Sequence, residues 1–430
     1  MPKVVLQPIT DSLDEAVAGV FAPFGGGRAL LKSSGEVFIK VNAIDFKPFT
    51  YTDPEVVGAA VRYFKAEGAS RVYVIENATQ SNFTRLVFKA SGMLKAIKSN
   101  GATPVYLDEG RQETVTMPTL GREVKVSRWV KERLMDGKDA NLYISLPKLK
   151  THSMSTVTLS VKNQMGFLMH ADRIPDHNFN LHLKLADIYG LVRPDFALIE
   201  GVHAVFHGHY PAEALAPRCT ERLDLLIGGD DPVATDVVAS RLLGFDLEQV
   251  GHLREAAARG YGEGDIAKIE ILGDAERWQR HYSCELLAEF PPDVRVLQGQ
   301  ERCCPEGCRN NTLTLLQMLW LDFQGKGGFT ILMGKGHDGN EVDSVTGRTL
   351  LVGDCAIEEL APRLKERLGR KNVRTVWGCN NLRDNTAAQL KLMKVSPLKM
   401  VPLSPLNSAW TLMQARLHRT TSRVTPLVPR

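Results

Sequence analysis

Residues 142–187 read LYISLPKLKTHSMSTVTLSVKNQMGFLMHADRIPDHNFNLHLKLAD. The run Leu142-Tyr143-Ile144-Ser145-Leu146 predicts a short buried strand, and Pro147, which brings no N–H to a ladder, ends it. Lys148, Lys150 and His152 follow at once, and Lys162 and Asn163 come after the Thr- and Val-rich segment 156–161. Arg173, His177, Asn178, His182 and Lys184 complete the stretch. A solvated helix face would interleave carboxylates at i,i+4. Between Lys148 and Lys184 the acidic residues are only Asp172 and Asp176. Cations gathered beside a strand end predict a pocket for an anion, a phosphate or a carboxylate. The competing reading is a basic surface with hydrogen-bonded core histidines.

Working outward, the same alternation recurs. Residues 3–7, 36–41, 71–77, 103–107, 195–202 and 222–229 read as strands. Between them, Ser12 with Glu15, Asp53 with Pro54, and Asp231 with Pro232 mark helix starts, each an N-cap residue followed by a capping-box Glu or by Pro at N1. Strand–helix alternation at this spacing predicts an α/β fold with a mostly parallel or mixed sheet flanked by helices. Pro291-Pro292 marks a linker. The expected division is therefore an α/β domain over 1–290 with the cationic pocket, a smaller α/β domain over 296–403 carrying clustered cysteines, and a basic tail over 404–430.

Composition narrows the class. With 43% apolar and 24% charged residues the chain has the make-up of a soluble globular protein, and a formal net charge of +4 does not imply nucleic acid. No apolar run approaches the roughly 18 residues of a membrane span. Asp11, Asp14 and Glu15 stand where a secretory leader would be apolar, so a cytoplasmic protein is expected. The first 218 residues contain no cysteine, whereas Cys303, Cys304, Cys308, Cys355 and Cys379 crowd the last third. An odd cysteine total in a long chain points to thiolate chemistry rather than a disulfide framework.

Four stretches carry a family resemblance: Ile39-Lys40-Val41-Asn42 with Thr52-Asp53-Pro54; Leu146 to His152 with Val161-Lys162-Asn163; Ile199-Glu200-Gly201-Val202; and Gly229 to Asp236. Together they resemble the bacterial and archaeal family catalogued as domain of unknown function 362, over roughly residues 35–265. The resemblance implies an α/β domain, often accompanied by iron–sulfur cysteines, and no settled reaction. The chain lacks the ferredoxin-like C-x-x-C-x-x-C insertion and the twin-arginine leader found in many relatives.

The cysteines carry the strongest chemical signal. Residues 349–352 and 373–377 predict two short buried strands joined by a helix, with Gly353-Asp354-Cys355 and Gly378-Cys379 just beyond their ends. In an open parallel sheet those ends line the ligand crevice. Cys308 precedes a helix over 311–323, whose positive N-terminus would face a thiolate. Three segments delivering sulfur to one sheet edge fit a [4Fe–4S] cluster held by Cys308, Cys355 and Cys379, with Cys304 or Cys303 as the fourth ligand. Zinc, a redox dithiol and inert buried cysteine are the alternatives; structural zinc favours paired knuckles and the chain has no C-x-x-C.

In the first domain, Lys40 and Asn42 close a strand, and with Asn163 and His182 they are expected to hold the ligand. Lys148, Lys150, His152 and Lys162 are expected to converge on one cleft as its chemically active groups. Asp236 sits in the apolar helix VATDVVASRLLGF and is expected to pair with Lys148, Lys150 or Lys162. His203, His207 and His209 cluster without a framing carboxylate motif, too little to define a metal site. The combined expectation is an iron–sulfur redox or electron-transfer protein acting on an anionic small molecule and served by a redox protein partner. The alternative is a non-redox ligand-binding or metal-delivery protein.

Overall fold

Strands and helices alternate along the chain in the computed structural model, which describes residues 1–79, 82–173 and 180–422. The first group of strands comprises β1 (Lys3–Pro8), β2 (Glu36–Val41), β3 (Arg71–Glu76), β4 (Thr103–Tyr106), β5 (Gln112–Thr116) and β6 (Glu123–Ser127). Next come β7 (Leu142–Leu146), β8 (Lys148–His152), β9 (Thr156–Val157), β10 (Phe196–Val205), β11 (Thr220–Gly229) and β12 (Glu270–Leu272). The last group is β13 (Val294–Gln298), β14 (Phe329–Met333), β15 (Thr349–Val352) and β16 (Val373–Val376).

A ten-stranded sheet runs in the order β12-β1-β11-β10-β7-β2-β3-β4, with β8 and β9 branching from β10, while β5 and β6 pair separately. Along that path only β11 is antiparallel to its neighbours. From β2 the chain builds outward to β3 and β4; β7, β10 and β11 then build on the other side of β2. That reversal leaves a crevice beyond the carboxyl ends of β2 and β7, the place where open α/β sheets take ligands.

The sheet is buried on both faces, so its strands are near-continuous in apolar residues. In β2, Val37, Ile39 and Val41 pack on one side with Phe21, Val57 and Phe64. Phe38 points to the other side, stacking on Tyr73 at 4.9 Å. The helix Pro54–Ala66 begins where Asp53 accepts the Glu55 N–H, and Pro232–Leu242 begins where Asp231 accepts those of Val233 and Ala234. Both starts agree with the capping signals. Replacing a buried aromatic such as Phe64 by Ala would cost about 3–5 kcal/mol.

The second sheet, β13-β14-β15-β16, is parallel throughout. Helices Asn310–Leu321 and Asp354–Leu368 pack on it, the latter through Ile357, Leu360 and Leu364. Beyond it the chain folds back: helix Pro405–Leu417 buries Ala415 against Phe83 and Leu86 of the first region. The segment 404–422 is thus a docked helix and its continuation, held by its small side chains rather than by its charges. None of the described helices is long and apolar enough to cross a membrane.

Candidate functional site

The carboxyl ends of β2, β3 and β7 each deliver polar residues to the crevice. Lys40 Nζ lies 2.8 Å from Glu76 Oε1, the last residue of β3, and both side chains are buried. Glu76 also accepts the N–H groups of Asn77 and Ala43, each at 2.8 Å, so its carboxylate is held by three donors. Asn163 ties the set together: its Oδ1 accepts from Lys40 Nζ at 3.2 Å and its Nδ2 donates to the Lys40 carbonyl at 3.1 Å. Gly166 packs directly on this pair. A Cβ there would meet Glu76 Oε1 at 2.6 Å and Lys40 Nζ at 2.8 Å, so only glycine admits the approach.

These groups wall a cavity of about 120 Å³, together with Asn42, Lys150, His152, Lys162, Arg173 and His209. Glu76 is the only carboxylate of its described lining. Lys150 is buried and donates to the Thr50 carbonyl at 3.0 Å. Burial pushes its ammonium well below the usual lysine range, and the positive charges of Lys148 and Lys162 add to the effect. Lys162 is brought down to about 8, first by burial and then by Arg173 and Lys40. Among the described residues none is hydrogen-bonded to its ammonium. Arg173 is held, among the described residues, by backbone carbonyls, those of Leu168, Ala78, Asn77 and Gly166, and burial lowers it to about 10. Cations that repel one another in a dry site lose that cost when an anion enters.

His152 accepts the Met154 N–H at Nδ1 (3.1 Å), which leaves Nε2 as the protonated nitrogen of the neutral ring. Its ring lies flat on that of His209, 3.7 Å between centroids. His152 and Lys162 line the same cavity, so an imidazole and a lysine brought down to about 8 are both present there to handle protons.

Three expected members do not join this site. Lys148 forms a buried ion pair with Glu200 at 2.8 Å, and Glu200 also accepts the N–H groups of Asp53 and Val202. The pairing of β8 with β10 shifts register between Lys148 and Lys150, so the two lysines do not share one regular pleat. Asp236 does not pair with a lysine. Its oxygens accept the N–H groups of Ser160 (2.8 Å) and Val161 (2.7 Å), the first turn of helix Leu159–Asn163. A buried carboxylate capping a helix is satisfied without a cation, although burial still raises its carboxyl to about 8. Asp236 therefore positions the helix that carries Lys162 and Asn163. His182 packs in parallel with His252 at 5.9 Å on the helix Leu181–Leu191, away from the lining. His177 and Asn178 lie outside the described residues.

Sequence reasoning left out Glu76, Gly166, Asn311 and Asn380. Glu76-Asn77 closes β3 as Lys40-Val41-Asn42 closes β2, so the signal was present for the first. The two asparagines lie in the second region, where only the fold brings them to the pocket.

There, five cysteines follow strand ends. Cys303 and Cys304 come after β13, Cys355 after β15 and Cys379 after β16; Cys308 precedes helix Asn310–Leu321. The loops are knit together. The Gly378 N–H donates to Asp354 Oδ1 at 2.7 Å, and Arg302 Nη2 lies 3.2 Å from Cys355 Sγ. Gly353, at φ +89°, lets Cys308 Sγ come within 3.2 Å of where a Cβ would stand. Cys308 feels the fields of Cys303, Cys379, Cys304 and Cys355 together; burial first, then these neighbours, raise its thiol to about 12. Burial likewise raises Cys303 to about 11. No disulfide forms among the seven cysteines. Among the described residues no three His, Cys, Asp or Glu side chains close on one ion position.

The cysteine loops and the cationic pocket share segments. Asn311 and Asn380 line the pocket and are hydrogen-bonded to each other; Asn380 adjoins Cys379, and Asn311 is in the turn after Cys308. Asn310 Nδ2 donates to the Ser153 carbonyl at 2.6 Å, fixing this edge against the strand that carries His152.

Residues 37–241 match the family described as "Domain of unknown function (DUF362)", and this stretch of the chain is a DUF362 domain. It holds every lysine of the pocket and none of the clustered cysteines. The chain is also similar to the thylakoid-associated protein sll1697 of Synechocystis sp., 26% identical over 245 residues that cover 55% of this chain and 71% of that protein.

Proposed function

We propose that the protein is an iron–sulfur redox protein acting on an anionic small ligand held in the DUF362 pocket. Cys308, Cys355, Cys379 and Cys304 would hold a [4Fe–4S] cluster, with Cys303 as the other choice for the fourth position. The cluster would supply single electrons from an external donor, a redox protein partner. The chain's own residues bind and orient: Lys150, Lys162 and Arg173 offset the ligand's charge, the Lys40–Glu76–Asn163 network fixes one wall, and His152 with Lys162 handles protons. The observation that carries this reading is the shared wall, in which residues beside two of the cysteines line the anion pocket. Persistent thiols suit a reducing compartment, so cytoplasmic placement belongs to the same proposal. The relative's name adds association with thylakoids as a setting to examine.

The test is an anaerobic redox titration with and without sulfate. A dithionite-reducible cluster whose potential falls when sulfate is bound supports the reading, since a nearby anion disfavours the added electron. A reducible cluster indifferent to sulfate contradicts it. The second reading, a structural cluster beside a non-redox binding site, draws on the fact that no cysteine lines the pocket itself. That reading expects a cluster that dithionite does not reduce.

A further inference from the structure

The cationic pocket, here the inner pocket, adjoins a second cavity, the outer chamber. That chamber has a volume of about 360 Å³, within the range of small-molecule sites. The two share Ile44, Thr79, His209, Asn311 and Leu382, so they adjoin across these residues. The outer chamber is built from both regions: the loop after β2, helix Asn310–Leu321 and the segment 397–402. Phe46, Leu86, Leu315, Met318, Phe323 and Met400 supply an apolar wall.

Its charges are distributed differently from those of the inner pocket. Lys47 and Asp322 pair with each other, and Asp322 also accepts the Glu213 N–H at 2.8 Å. Asp45 accepts the N–H groups of Phe46 (2.7 Å) and Lys47 (3.1 Å) and the Asn82 amide (3.2 Å). Glu213 and Lys399 are exposed at the margin. The outer chamber thus offers apolar surface between satisfied polar groups, and the inner pocket offers cationic groups with a single carboxylate among them. A ligand of uniform polarity fits only half of this space. Burying a polar body against the apolar wall would leave its groups unpaired, and an apolar end against Lys162 would leave the charges unmet.

From this division we infer that the ligand is an amphiphilic anion: an acidic head seated among Lys150, Lys162 and Arg173, and an apolar body lying between Leu315, Met318 and Met400. The inference rests on the anion-binding reading of the inner pocket and adds the substrate class. Its carrying observation is that a cationic pocket and an apolar chamber adjoin, sharing five lining residues.

The experiment is calorimetric titration of the full chain with sulfate and with acetate, butanoate, hexanoate and octanoate. Affinity should rise by up to about fourfold per added methylene as the chain fills the outer chamber, the increment of one buried CH₂. Met400→Glu, at a partly exposed position, should flatten that rise and leave sulfate affinity within about twofold. Met400→Ala, which adds no charge, should flatten it in part, and both variants should keep the wild-type melting temperature. Lys162→Met should weaken sulfate and every carboxylate alike. If sulfate binds but chain length has no effect, the amphiphile is wrong and the inner-pocket reading stands. If neither sulfate nor any carboxylate binds, the inner-pocket reading fails and takes this inference with it.

Discussion

The DUF362 domain and the cysteine-bearing region place their chemistry at the same kind of position, the carboxyl ends of parallel strands, and hold it by opposite means. In the DUF362 domain most of the charged groups are fixed by hydrogen bonds the chain itself supplies, Lys162 excepted: Glu76 by Lys40 and two N–H groups, Arg173 by four carbonyls, Lys150 by the Thr50 carbonyl. In the second region the thiols lie near enough to influence one another, and burial drives Cys308 and Cys303 toward the neutral form. One site is a polar network held largely by the chain itself, with Lys162 left to meet a counter-charge. On the proposed reading the other is a set of soft donors that would exchange their protons for a metal cluster. The difference says that the first site should bind and release, and the second should hold.

The comparison can be broken most severely at the buried ion pair that props the first region. Lys148→Met removes the partner of Glu200 in the core and should cost about 3–5 kcal/mol of stability, measured by urea unfolding. Sulfate affinity should stay within about twofold, because Lys148 does not line the pocket. A large affinity loss at unchanged stability would return Lys148 to the site.

Asp236→Ala comes next. It leaves the Ser160 and Val161 N–H groups without acceptors and should destabilise by about 2–4 kcal/mol. Sulfate binding should weaken as well, since the capped helix presents Lys162. Unchanged stability would show that water replaces the carboxylate.

Lys162→Met sharpens the comparison without breaking the fold. Losing one charge-assisted contact should weaken sulfate about 10- to 100-fold while leaving iron content untouched. The pH dependence follows from its lowered value. Lys162 is charged in folded and unfolded chains below about 8; between about 8 and the ordinary lysine value of 10.5 the folded chain has released the proton and the unfolded chain keeps it. Its contribution to stability therefore rises with pH across that window. Sulfate affinity runs the other way, level below about pH 8 and falling by up to tenfold per unit above it. A flat profile to pH 10 would exclude Lys162 as the anion's partner.

How much of this was legible in the sequence divides by distance along the chain. Asp53-Pro54 and Asp231-Pro232 announce their helices because capping is local, and the β15 and β16 strands with their trailing cysteines could be read for the same reason. Lys40, Asn42, Lys150, Lys162 and Asn163 were readable as strand-end or post-strand polar residues in an α/β fold. The neutralisation of Lys148 was not, because Glu200 lies 52 residues away and meets it only where β8 pairs with β10. Asp236 misled for a physical reason: a buried carboxylate needs donors, and backbone N–H groups serve as well as a lysine. Asn311 and Asn380 come from a region whose relation to the pocket is purely tertiary.

The central claim is that the second region holds a cluster through thiols gathered from three loops. Iron and acid-labile sulfide, measured after anaerobic purification of the wild type and of Cys308→Ser, Cys355→Ser, Cys379→Ser and Cys219→Ser, test it most directly. The account predicts about four iron and four sulfide per chain in the wild type and in Cys219→Ser, with most of both lost in the other three. Equal iron in all four variants would contradict it.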